Sequence, residues 1–153
     1  MATVFANPDA VKAAVGTHLG YTEWMVVDQD RINRFADATG DHQWIHVDVE
    51  RCKTEMPGGK PIAHGYLTMS LVPRMMQQLV KVTRRSRGIN YGSNKVRFTG
   101  PVPAGSRLRA KATLKAVEDI KGNGVQITYE VQVEREGEAR PVLVAETIGL
   151  SYA

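Results

Sequence analysis

Hydrophobic and polar positions change their period once along this chain, near Gly88. Before that point apolar residues recur mostly at helical steps. Pro8 and Asp9 open a short helix predicted over 8–15 and ended by Gly16. The stretch YTEWMVV, 21–27, is aromatic and β-branched and reads as a strand. Asp28 caps a helix in which Ile32, Phe35, Ala36 and Thr39 keep helical spacing up to Gly40. DVERCKTE, 48–55, adds a further short helical segment, stopped by MPGGKP. From His64, residues Leu67, Leu71, Val72, Met75, Met76, Leu79 and Val80 recur at steps of three and four. That spacing predicts a long helix with a broad apolar face, the most hydrophobic in the chain, buried against a sheet. Pro73 removes one backbone donor from it and is expected to kink it.

After Gly88 the period becomes two. INYGSNKVRF, 89–98, ends with Lys95 and Arg97 on one face and Val96 and Phe98 on the other. SRLRAKATLKAVEDI, 106–120, sets Arg107, Arg109 and Lys111 against Leu108, Ala110 and Ala112. KGNG, 121–124, is a turn of the kind that joins antiparallel strands, and VQITYEVQVER alternates again. ARPVLVAETIGLSYA closes the chain as a last strand. Antiparallel strands with one long helix make an α+β fold. No repeat, linker or internal boundary interrupts residues 1–153, which are read as a single domain.

Composition narrows the class. Hydrophobic residues at 42% and charged residues at 24% are ordinary for a globular protein with a core of its own. The first twenty residues lack a basic start followed by an apolar run, so no signal peptide is expected, and no stretch is long and apolar enough for a membrane span. The lone Cys52 can form no internal disulfide and has no activating neighbour in sequence, which fits a reducing cytoplasm and a plain, partly buried thiol. The net charge is +4, and Lys81, Arg84, Arg85 and Arg87 form the densest positive cluster. Without interleaved aromatics or a nucleic-acid module, that cluster reads as a solvated loop or a landing patch for a small phosphorylated ligand, not as a nucleic-acid surface.

Candidate chemistry concentrates in GDHQWIHVD, 40–48. His42 and His46 have the spacing of a helical metal pair, with Asp41, Asp48 and His64 available, but Gly40 has just ended a helix and no zinc signature surrounds them. Asp41 and His46, five apart, would diverge by about 140° on a helix and can meet only across a non-helical turn. If they meet, the carboxylate orients the imidazole and the two hold a water, a pair suited to adding water to an activated carbon or removing it. A polar surface loop is the plain alternative. In PIAHGYLT, 61–68, Gly65 stands at the first turn of the apolar helix, where free N–H groups and the absence of a side chain would let a carbonyl oxygen approach. His64 reads as a structural residue at the helix start.

FADATGDHQWIHVD followed by GGKPIAHGYLT resembles the hydratase motif of the MaoC-like, (R)-specific enoyl-CoA hydratases. The match covers residues 35–68, and the order of helix then strands extends it over most of the rest. The resemblance implies a hot-dog fold, a long helix wrapped by an antiparallel sheet, as a homodimer with a sheet continuous between subunits. It implies Asp41 and His46 as the catalytic pair and the Gly65 N–H as the thioester oxyanion donor. The implied reaction is reversible syn hydration of a trans-2-enoyl-CoA to a (3R)-3-hydroxyacyl-CoA, with no metal and no cofactor beyond the coenzyme A of the substrate. Lys95, Arg97 or the 84–87 cluster would hold its phosphates.

The chain departs from the pattern in two places. Many relatives carry Asn-Pro where this sequence has Gln43-Trp44, and Pro73 stands where some place a serine. NYGSNKVRF resembles a branch that includes nodulation-type proteins. A hot-dog acyl-CoA thioesterase would place an acidic residue on the central helix, yet 64–80 holds no Asp or Glu. A non-catalytic acyl-CoA-binding or signalling module is the other alternative.

Overall fold

The computed structural model describes residues 1–153. Its frame is a six-stranded antiparallel sheet built from β2 (His18–Tyr21), β3 (Met25–Val27), β5 (Arg87–Phe98), β6 (Ser106–Ile120), β7 (Gly124–Arg135) and β8 (Leu143–Tyr152). The strand order is β2-β6-β7-β8-β5, with β3 also paired to β6. The alternation read from the sequence governs the long strands: Leu108, Ala110, Ala112 and Leu114 of β6 are buried while their neighbours face outward. Gly122 and Asn123, both at positive φ, make the turn between β6 and β7.

Four helices lie among these strands: α1 (Gln29–Thr39), α2 (Trp44–Val47), α3 (Val49–Glu55) and α4 (Gly65–Met76). The inner face of the sheet packs on α4, whose Leu67, Leu71, Val72 and Met75 are buried in one cluster of 23 residues with Leu108, Leu114, Val131 and Leu143. Each Leu or Val so buried contributes roughly 1.5–3 kcal/mol. A helix wrapped by an antiparallel sheet is the α+β hot-dog arrangement the resemblance implies.

Several boundaries differ from the expectation. The strand predicted over 21–27 breaks at Thr22–Trp24. Thr22 is buried, its N–H donates to Ala110 O, and its hydroxyl accepts the Ala110 N–H, both at 2.9 Å, so a side chain replaces one rung of the ladder. The predicted helix at 8–15 is a 3-10 helix, Asp9–Ala14. The apolar helix ends at Met76 rather than Val80, because Val80–Val82 (β4) pairs in parallel with Thr3–Phe5 (β1). Val-Lys-Val fits a strand as well as a helix, and a partner 77 residues away in sequence decides the matter.

The edge strand β5 is open. Eleven of its twelve residues are exposed, including Ile89, Tyr91 and Phe98, and two register shifts, at 90–92 and 94–97, bend it.

Candidate active site

Three local devices bring the site residues together. The Asp28 side chain caps α1 by accepting from Arg31 N at 2.9 Å, and Gly40 ends the helix with φ 81° in the left-handed region. A residue with a side chain resists that conformation, so Gly40 is what turns the chain out of the helix. Residues 41–43 are then non-helical, and α2 adds a single turn that carries His46. Asp41 and His46 are therefore separated by the turn their spacing requires. The Asp48 side chain starts α3 by accepting from Arg51 N at 3.0 Å, a structural role.

The segment before α4 supplies the second device. Ile62 N donates to Ile45 O at 3.0 Å, Ala63 N to Val102 O at 2.7 Å, and Ala104 N to Pro61 O at 2.9 Å. This places the Ile62 carbonyl 2.7 Å from His46 Nδ1. A carbonyl only accepts, so Nδ1 carries the hydrogen and Nε2 of the neutral ring is left with its lone pair. His46 is 7% exposed, and this burial pushes its pKa below the ordinary histidine value; the Ile62 bond and the Asp41 charge work in the opposite direction.

His64, read from the sequence as structural, is the third. It is buried, and its Nε2 donates to the backbone carbonyl of Asp41 at 2.9 Å. Its ring stacks on His46 with centroids 3.8 Å apart and lies 4.9 Å from Phe35. Its Nδ1 is buried without a partner. From α1, Gln29 Nε2 donates to the His46 carbonyl at 2.7 Å and holds the short α2 in place. Neither contact could be read from spacing, since each joins residues 17 or more apart.

Asp41, exposed, His46 and His64 bring their side-chain donor atoms within 4.8 Å of one another. A zinc ion needs nitrogens at about 2.0–2.1 Å with lone pairs converging on it. The two rings are within 24° of parallel, so their in-plane lone pairs run side by side. The arrangement suits a water hydrogen-bonded between His46 Nε2 and the Asp41 carboxylate better than an ion. His42 is elsewhere, exposed and 2.9 Å from Asp37, whose carboxylate raises its pKa, so the helical histidine pair does not form.

Gly65 begins α4. Leu67 is the first residue to donate within the helix, to His64 O at 3.0 Å, which leaves the Gly65 and Tyr66 N–H groups ahead of the ladder. Gly65 is also required for packing, since a Cβ there would stand 2.9 Å from the Phe98 ring. Trp44, beside His46, lies under the Arg51 guanidinium at 4.0 Å. Cys52 is fully buried, and burial pushes its thiol pKa up, the opposite of an activated nucleophile.

The basic residues do not act as one patch. Arg84 donates to Ala6 O at 3.2 Å, Arg87 covers the Tyr152 ring at 4.1 Å, and Arg85 turns into a cavity beside α4. Lys95, at φ 52° in the bulge of β5, reaches Glu146 at 3.4 Å. Arg97 pairs in register with Val144 and so projects from the sheet face opposite Phe98.

A carboxylate and a buried imidazole at the head of a helix wrapped by an antiparallel sheet define a hot-dog protein equipped for proton transfer. The chain belongs to the MaoC like domain family, whose model matches residues 10–135. It is 51% identical over 144 residues to 3-hydroxyacyl-thioester dehydratase Z of Mycobacterium tuberculosis, covering 94% of this chain and 95% of that one. It is 45% identical over 139 residues to nodulation protein N of Rhizobium leguminosarum bv. viciae, covering 90% and 86%. The structure of an (R)-hydratase from A. caviae involved in PHA biosynthesis superposes with a TM-score of 0.70 at 22% identity, covering 88% of this chain and 94% of that one. That likeness establishes the shared fold.

Proposed function

We propose that the chain is an (R)-specific enoyl-CoA hydratase, adding water syn across a trans-2-enoyl-CoA to give the (3R)-3-hydroxyacyl-CoA and catalysing the reverse elimination. Membership of the family and identity with the dehydratase support hydro-lyase chemistry on acyl thioesters. The observation that carries the finer reading is the free Nε2 of a buried, neutral His46 beside the Asp41 carboxylate.

In this reading the Asp41 carboxylate and His46 Nε2 each accept one hydrogen of the same water. As its oxygen bonds to C3, His46 takes one proton. The C2=C3 electrons move onto the thioester, whose oxygen is received by the Gly65 N–H. His46 then returns its proton to C2. Water is added whole, and both new bonds form on the face where His46 lies, which makes the addition syn. No metal or redox cofactor enters the scheme.

The open edge of β5 supports a homodimer in which two copies extend one sheet. The CoA phosphates are assigned to Lys95 and Arg97, exposed at the Phe98 end of β5; Lys95→Glu or Arg97→Glu should raise KM and leave kcat unchanged. The single buried thiol fits a reducing, cytoplasmic setting, and no helix is long and apolar enough to cross a membrane.

The test is hydration of crotonyl-CoA and longer enoyl-CoAs, followed by loss of the conjugated enoyl-thioester absorbance, with product chirality and free thiol measured. The (3R) alcohol, formed by the wild type and not by Asp41→Asn or His46→Gln, is expected. Free CoA without hydration would assign a thioesterase instead, and binding without turnover of any chain length would assign an acyl-CoA-binding module.

A further inference from the structure

A cavity of about 740 Å³ opens beside Tyr66 and runs between α4 and the inner face of β5 and β8. Its two walls differ. Along the helix they are apolar, with Met69, Pro73 and Met76. Along the sheet the register stacks the residues in layers. Ser93 opposite Thr147 stands at the end nearer Gly65, where Phe98 opposite Leu143 lies just outside the cavity, and Gly88 opposite Ser151 closes the far end. Alongside, α4 spans 12 residues, about 18 Å.

The far end holds polar groups that nothing in the chain satisfies. Ser151 is 3% exposed and its hydroxyl has no hydrogen-bond partner. In register beside it is Gly88, on which the Arg85 guanidinium rests; a Cβ at Gly88 would stand 2.9 Å from Arg85 Nη1. Unlike Arg84 and Arg87, Arg85 has neither a hydrogen bond nor an aromatic partner, and no carboxylate neutralises it. Tyr129 lines the same space. Burial pushes its phenol up to about 12, with the Arg85 charge acting the other way, so it stays a protonated donor. A plain alkyl tail would lie well against the helix wall and leave the buried Ser151 hydroxyl unpaired, with the exposed Arg85 at the cavity mouth paired to water alone.

We propose that this end of the cavity receives the terminal carboxylate of the acyl chain, so that the preferred substrates are thioesters of long dicarboxylic acids. Arg85 supplies the countercharge, and the Ser151 and Tyr129 hydroxyls donate to the carboxylate oxygens. The inference rests on the hydratase reading, because that reading anchors the thioester at Gly65 and directs the chain along α4.

Matched enoyl-CoAs that differ only in ending with a methyl or a carboxylate, in lengths from four carbons upward, test this. Turnover and direct calorimetric binding are both measured. Among chains long enough to span α4, the carboxylate series should be favoured at least tenfold in kcat/KM and in affinity. Arg85→Met should abolish the preference, read as the ratio of the carboxylate to the methyl series within the one variant, so that any change common to both series cancels. Arg85→Glu should reverse the preference toward a chain ending in an ammonium group. Loss of crotonyl-CoA turnover by the wild type would remove the hydratase reading, whereas a surviving Arg85-dependent binding preference would still support the carboxylate site. Crotonyl-CoA turnover with no difference between the two series overturns it. So does an Arg85→Met variant that changes particle size on gel filtration and no preference, since the cavity would then belong to a contact between copies.

Discussion

His64 donates from Nε2 to the backbone carbonyl of Asp41, 23 residues earlier in the chain. The bond engages the main chain of Asp41, while its carboxylate takes only a long bond from Gln43 N at 3.4 Å, which the Asn side-chain oxygen can equally accept. Asp41→Asn is therefore expected to fold as the wild type does, within about 0.5 kcal/mol, while losing turnover by 10²-fold or more. His64→Ala should instead cost about 2–3 kcal/mol, through the lost bond, the lost stack on His46 and the cavity left behind. Thermal unfolding beside steady-state kinetics separates the two. Equal destabilisation by both substitutions would contradict the arrangement.

The pH dependence follows from the buried His46. Its pKa is lowered in the folded state, so the unfolded chain binds the proton more readily. The favourable contribution is complete above the unfolded value near 6.5 and is lost as pH falls below it toward the depressed folded value. The acid limb of kcat/KM should accordingly have its midpoint below 6.5. Asp41 raises the His46 pKa, so an NMR titration of Asp41→Asn should move the ring still lower. An upward movement would show that the carboxylate does not face the imidazole.

Gly65 meets two demands that a double substitution can part. Gly65→Ala sets a methyl group against the Phe98 ring and should destabilise by about 1–3 kcal/mol. Adding Phe98→Ala relieves the collision. If Gly65 also admits the thioester oxygen, the double variant recovers its melting temperature relative to Gly65→Ala yet remains at least about tenfold slower than Phe98→Ala alone. Recovery of both would reduce Gly65 to a packing residue.

Nearly parallel His46 and His64 rings predict that metal chelation is without consequence. Dialysis against EDTA should leave turnover and melting temperature unchanged, and added zinc should not raise either. Loss of activity on chelation, restored by metal, would overturn the water-bridged scheme.

If β5 is the dimer edge, the melting temperature should rise with protein concentration. Ile89→Lys together with Tyr91→Lys, two exposed apolar residues on that strand, should give a monomer on sedimentation. Concentration-independent unfolding of a monomeric wild type would count against the assembly.

The parts of this molecule legible in its sequence are those decided within a few residues. Asp28 and Gly40 announce the two ends of α1 because a cap and a left-handed stop act locally. The alternation in β6 and β7 survives because one face of each is buried along its length. The turn between Asp41 and His46 was legible for the same reason, as was the apolar face of α4. What escaped depends on distant partners. The β1–β4 pair joins residues 77 apart, Thr22 breaks a strand by bonding to Ala110, and His64 organises the site through contacts formed only after folding. Gln29 likewise gives no sign in sequence that it grips the carbonyl of His46.

Because His64 holds Asp41 by its main chain, architecture and chemistry at this site are separately inheritable. On the proposed scheme, a single base change at codon 41 that exchanges the carboxylate for an amide would stop the reaction and leave the His64 bond in place. Descendants of such a chain would keep the acyl-thioester cleft as a receptor without the reaction, and a silenced copy could regain it by a single reversion. On that scheme the frame can outlast its reaction, and the side chains at positions 41 and 46, not the shape around them, tell the two kinds of descendant apart.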